Sequence, residues 1–176
     1  MHCTAQMPHT LRLTWTLTVL LGGCHVAADP PAQPANPPAH PTVKLDLSPH
    51  GIAAVIRGPD GVRAHAGAGY VEVEAGTDFH MQVFAGTLDL LVEKADIVRH
   101  WGGRFRRFVR DDGRTVLYET ATVAESSYHF ATTGTVGQLD YYCRSVEGVS
   151  TLEAAERMIA GCRSIRAQHR VISRKQ

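Results

Sequence analysis

An α+β fold, an antiparallel sheet with two main helices packed on it, is the expectation for residues 43–166, and three observations lead to it. Short stretches alternate apolar and polar residues with the period of two that half-buried strands require. Two longer stretches change to steps of three and four, the period of a helix. The strands come in runs interrupted only by those two helices, rather than alternating with helices one for one as a parallel sheet demands.

The first strand is set by Val43, Leu45 and Leu47, which alternate with Lys44, Asp46 and Ser48. A second covers residues 52–57 and is closed by Gly58-Pro59-Asp60-Gly61, whose proline and glycine suit a tight turn. Val71 and Val73 alternate with Glu72 and Glu74, and Phe79, Met81 and Val83 repeat the pattern. The first helix is expected from a Thr87 cap to about Trp101. Leu88, Leu91, Val92, Ala95 and Val98 form one broad apolar face of it, and Asp89, Glu93, Asp96 and His100 a polar stripe. The apolar face is the one expected to meet the sheet. Gly102 and Gly103 stop the helix.

Strands return at 105–110 and 115–121, joined across Asp111-Asp112-Gly113, a strong hairpin signal. Segments 128–132 and 136–146 predict another hairpin about Gly134. The second helix is expected to start at Ser150, whose capping box with Glu153 would satisfy two free backbone amides. Its apolar positions Leu152, Ala155, Ile159 and Cys162 share a face. This order of elements, with a cysteine in the last strand, resembles the Mog1/PsbP/DcrB-like fold over residues 43–166. Families sharing that architecture range from photosystem subunits to lipoproteins and small-protein regulators, so the resemblance implies a topology and no function.

Ahead of the domain, residues 11–22 hold one arginine followed by an apolar run about half as long as the ~20 residues a membrane-spanning helix needs. A short run with a positive residue before it and small residues after it marks a secretory signal peptide. Leu21-Gly22-Gly23-Cys24 resembles the lipobox of bacterial lipoproteins, in which the thiol is acylated and the leader is cut just before it. Gly22 stands where that motif more often has Ala, Ser or Thr. The resemblance implies a lipid on Cys24, and several acyl chains at ~0.8 kcal/mol per buried methylene anchor a protein stably where one does not. Residues 29–42 then hold six of the nine prolines, a composition that stays extended and spans roughly 40 Å at ~3.1 Å per residue. The expected organisation is a signal peptide (1–23), a lipidated cysteine with a proline-rich tether (24–42), the α+β domain (43–166) and a basic C-terminal tail (167–176).

Composition bounds the partners. Hydrophobic residues make up 44% and charged residues 20% of the 176 positions, and the net charge is +1. A body so near neutrality has no global field to draw in nucleic acid, which is not an expected partner. The membrane is the expected partner, through the lipid, and the expected location is the bacterial cell envelope. Cys143 lies on the apolar side of its strand with Leu139 and Tyr141, and Cys162 on the apolar face of the next helix. Export would deliver them to an oxidising compartment, and a Cys143–Cys162 disulfide is expected.

Catalytic and metal signals are weak. His50, His65, His80, His100, His129 and His169 show none of the close spacings typical of metal-ligating pairs. His80 and His129 are expected on outward, solvated strand faces. Ser126-Ser127-Tyr128-His129 has no nucleophile elbow, Asp111 and Asp112 belong to a turn, and Gly67-Ala68-Gly69 lacks the helix start a phosphate cradle needs. No cofactor is expected. Arg106, Arg107 and Arg110 interleave with Phe105, Phe108 and Val109, and they are the expected contact for an acidic envelope protein or polymer. Arg104 and Arg114 flank the same hairpin, and Arg163, Arg166, Arg170, Arg174 and Lys175 form a second basic stretch. The function expected is a non-catalytic binding or accessory module, with an exported hydrolase or metal-dependent enzyme and a structural subunit of an envelope complex as the alternatives.

Overall fold

The computed structural model describes residues 42–168. Cys24, the leader, nearly all of the tether and residues 169–176 lie outside the described residues. The described chain forms β1 (Thr42–Asp46), β2 (Ala54–Pro59), β3 (Arg63–Ala66), β4 (Val71–Glu74), β5 (His80–Ala85), α1 (Leu90–Trp101), β6 (Phe105–Asp111), β7 (Thr115–Ala121), β8 (Ser126–Val136), β9 (Leu139–Ser145), α2 (Leu152–Arg163) and β10 (Arg166–Ala167). Seven strands build one sheet in the order β3-β4-β5-β9-β8-β7-β6, and β1-β2-β10 build a smaller one. Each neighbouring pair of these strands runs antiparallel. The class is therefore α+β. No helix among the described residues is long and apolar enough to cross a membrane.

Neighbouring residues of a strand point to opposite faces, and β7 uses this to divide the interior in two. Leu117 joins the main core with Ile56, Val73, Met81, Val83, Phe130, Met158 and Ile159, between the large sheet, α2 and the small sheet. Val116 and Tyr118 face the other way and join Ile97 of α1, flanked by Leu90, Trp101, Phe105 and Phe108. The two helices thus cover opposite faces of the large sheet. Cys143 in β9 and Cys162 in α2 are bonded across the main core, with Cα atoms 6.2 Å apart.

Helix α1 sits the other way round from the expectation. Leu91 is 74% and Val98 44% exposed, and Val92 is exposed as well, while Ile97 is buried. Asp89, not Thr87, caps the helix, accepting hydrogen bonds from the amides of Leu91 and Val92. Leu90, Ile97 and Trp101 share a narrower face, but both of its flanks are tied to the sheet. Glu93 accepts from Arg144 of β9 at 2.5 Å, and Lys94 donates to Asp111 of β6 at 2.6 Å. Ion pairs on either side of a small apolar seam decide the orientation here, where the width of the apolar stripe alone points to the opposite one.

Three smaller corrections follow from local chemistry. Helix α2 is capped by Thr151, whose hydroxyl accepts from the amide of Ala154 at 3.2 Å. Glu153 is then the second helical residue and cannot complete a box with Ser150, and Leu152 is 40% exposed. The last hairpin turns at Gly137 (φ +63°), with Val136 paired to Leu139. Gly134 instead stays inside β8, where a Cβ would fall 2.5 Å from the hydroxyl oxygen of Tyr141. Strand β3 is an addition: its Arg63-Ala64-His65-Ala66 holds no large apolar residue to signal a strand.

Candidate functional site

Helix α1 packs mainly on β6 and β7, and a cleft of about 520 Å³ opens along its edge. Its walls come from Glu93, Asp96 and Trp101 on α1 and from Arg144 and Gly148 after β9, with Tyr118 and His129 beneath. Glu93 is partly desolvated, which raises its carboxyl pKa, and the Arg144 guanidinium opposes that shift. The same guanidinium stacks 5.5 Å from the ring centre of Tyr142, and its buried Nε has no hydrogen-bond partner among the described residues. Burial also raises the Tyr118 hydroxyl, which accepts from the indole N–H of Trp101 at 3.3 Å.

His129 is not on a solvated face. It is 6% exposed, because β8 lies inside the sheet with α1 above it. Its ring stacks on Tyr118 at 5.1 Å, packs against Trp101 at 4.7 Å, and places Nε2 3.1 Å from the Thr120 hydroxyl. Burial lowers its pKa to about 4, so the imidazole is neutral near pH 7. Ser145 is also committed: its oxygen accepts from the amide of Phe130 at 3.2 Å. His80 is half-buried and bonded to Glu72. Among the described residues no group of three or more His, Cys, Asp or Glu side chains is arranged to hold a metal ion.

Of the three arginines expected to contact an acidic partner, Arg107 and Arg110 are ion-paired within the domain. Strand β6 carries two irregularities in its pairing with β7, one between Phe105 and Arg107 and one between Phe108 and Arg110. Arg106 and Val109 are the residues left over. Arg107 donates to Glu119 at 3.0 Å and Arg110 to Glu156 of α2 at 2.5 Å, so two of the three charges are compensated within the domain. Arg106 is exposed. Arg104, just before the strand, lies 4.9 Å over the ring of Trp101.

The convergence of Glu93, Arg144, Tyr118 and His129 had no sequence signal. These residues stand on α1, β9, β7 and β8, and only the orientation of α1 brings them together. No known family model, curated protein or solved structure matches the chain.

Proposed function

We propose that this chain is a bacterial envelope lipoprotein: Cys24 carries the lipid after removal of the leader, the proline-rich segment is a stalk, and the domain is a non-catalytic binding or accessory module for an anionic partner. The observation that carries the binding reading is the state of the α1 cleft. Most of its polar groups are held within the domain, Glu93 by Arg144, His129 by Thr120 and Ser145 by a backbone amide, which leaves the buried Nε of Arg144 as a donor without a partner among the described residues. A hydrolytic site needs a nucleophile within reach of a base that is free to take its proton. The buried Cys143–Cys162 bond supports an oxidising compartment, where such bonds persist. The sheet with helices on both faces, the hairpin pairs and the final helix support a Mog1/PsbP/DcrB-like arrangement.

Metabolic labelling with a fatty-acid analogue tests the anchor. The wild-type chain takes up the label and Cys24→Ala does not; equal labelling of both overturns it. The binding reading is overturned by turnover of an ester, peptide or glycoside substrate that Glu93→Gln abolishes.

A further inference from the structure

On the α2 side of the large sheet, a second cleft of about 720 Å³ lies between the β6–β7 turn, the end of β8 and the C-terminal end of α2. Arg114, Arg163 and Arg166 line it, with Asp112 the acidic residue among its lining. The sum is two positive charges. Arg163 is fixed by bonds to the Asp112 carboxylate at 2.7 Å and the Thr115 hydroxyl at 2.8 Å. Arg166 is held by the carbonyls of Arg163 at 3.0 Å and Ile165 at 2.7 Å. Arg114 has no carboxylate in ion-pair contact among the described residues, and it is exposed.

Tyr141 adds a hydrogen-bond donor to the wall of the cleft. The residue is 6% exposed and lines the cleft, and its hydroxyl has no hydrogen-bond partner among the described residues. The hydroxyl is not among the fully buried atoms without a partner, so it opens onto the cleft as an available donor. Gly134 gives the ring room to reach this position, since a Cβ there would collide with the hydroxyl oxygen. Burial raises the Tyr141 pKa, opposed by the charges of Arg166, Arg114 and Arg163. All three guanidinium groups therefore lie within electrostatic reach of a neutral O–H donor.

We propose that this cleft binds the phosphate group of a small organic ligand. Guanidinium groups are suited to phosphate because their forked donors match its oxygens. Two surplus charges balance a phosphate monoester dianion, whereas a carboxylate would leave one over. The volume falls in the range of about 300–1,000 Å³ usual for small-molecule sites and leaves room beyond the phosphate itself. The proposal rests on the reading of the domain as a binding module and names the anion it recognises.

The full chain is titrated with inorganic phosphate, glycerol 3-phosphate and acetate at constant ionic strength, following tyrosine and arginine side-chain resonances. Phosphate and glycerol 3-phosphate produce saturable shifts at Tyr141 and Arg114, and acetate does not. Arg114→Gln, at an exposed and unpaired position, weakens binding about tenfold. Tyr141→Phe weakens it about threefold with its melting temperature nearly kept. Arg99→Gln, on α1 at the opposite face of the sheet, leaves it unchanged. Absence of saturation up to about 50 mM phosphate overturns the proposal, as does an equal response to acetate or an unaltered affinity in Arg114→Gln. None of these results bears on labelling of Cys24, so anchor and ligand fail separately.

Discussion

Gly148 lies over the imidazole of His129 so closely that a Cβ at position 148 would fall 2.6 Å from Nε2 and 2.7 Å from Cε1. The backbone there cannot readily retreat, because Val149 exchanges two hydrogen bonds with Tyr128, at 2.8 and 3.0 Å. His129 cannot retreat either, held by Tyr118, Trp101 and Thr120. Gly148→Ala is therefore expected to destabilise the domain by about 1–3 kcal/mol, the usual cost of overpacking. Urea denaturation measures it, and the loss should shrink when His129 is also replaced by alanine. A Gly148→Ala variant as stable as the parent would show that the loop yields.

The same histidine makes stability depend on pH. Its folded pKa is about 4 against an ordinary value of 6.5. Above pH 6.5 it is neutral in both folded and unfolded chains and costs nothing. Between pH 6.5 and 4 the unfolded chain takes up a proton that the folded chain refuses, so stability falls as pH falls, by about 3 kcal/mol in all. His129→Gln should remove this part of the slope. Parallel pH profiles for the two proteins across that window would sink the assignment.

The disulfide closes the β9–α2 segment, and the chain-entropy account gives about 3 kcal/mol for a loop of this size. Cys143→Ala with Cys162→Ala should lower the denaturation midpoint accordingly while leaving the circular dichroism spectrum of the fold. Mass spectrometry of protein isolated without reductant should show the linked peptide pair gaining two hydrogens on reduction. Freely alkylatable thiols without reductant would argue against the bond.

Orientation of α1 is tested by contrast. Leu91→Gln and Val98→Gln, on the outward side, should change stability by no more than about 0.5 kcal/mol. Ile97→Ala should cost about 2–4 kcal/mol, because it empties part of the smaller core. The reverse ranking would mean that the broad apolar stripe packs on the sheet after all.

That helix shows how far the residues alone could be followed. Strand alternation at Val71–Glu74 and around Met81 and Val83 was legible because one face of those strands is buried and the other is wet. The β6–β7 hairpin was legible from Asp112-Gly113, and the cysteine pair from the shared apolar side of Cys143 and Cys162. The face of α1 was not, since Leu91, Val92 and Val98 outweigh Leu90 and Ile97 in any local count. Its orientation depends on Arg144 and Asp111, which stand 51 and 17 residues from their partners. Both clefts were hidden for the same reason: each gathers groups from three or more elements, and no short spacing announces that kind of meeting. The arginines of the second cleft were visible only as members of two separate basic stretches.

The irregular pairing of β6 has a consequence for how copies of this domain tolerate crowding. β6 is an outer strand of the large sheet, and a straight outer strand is a template on which another chain can add its own. Twice along its seven residues the β6 ladder slips by one position, at Arg106 and at Val109. An incoming strand would find its amides and carbonyls out of phase at both places, and would meet arginine side chains along the way. Molecules held side by side at high local density thus have a built-in obstacle to strand-to-strand coalescence into fibrils on this edge.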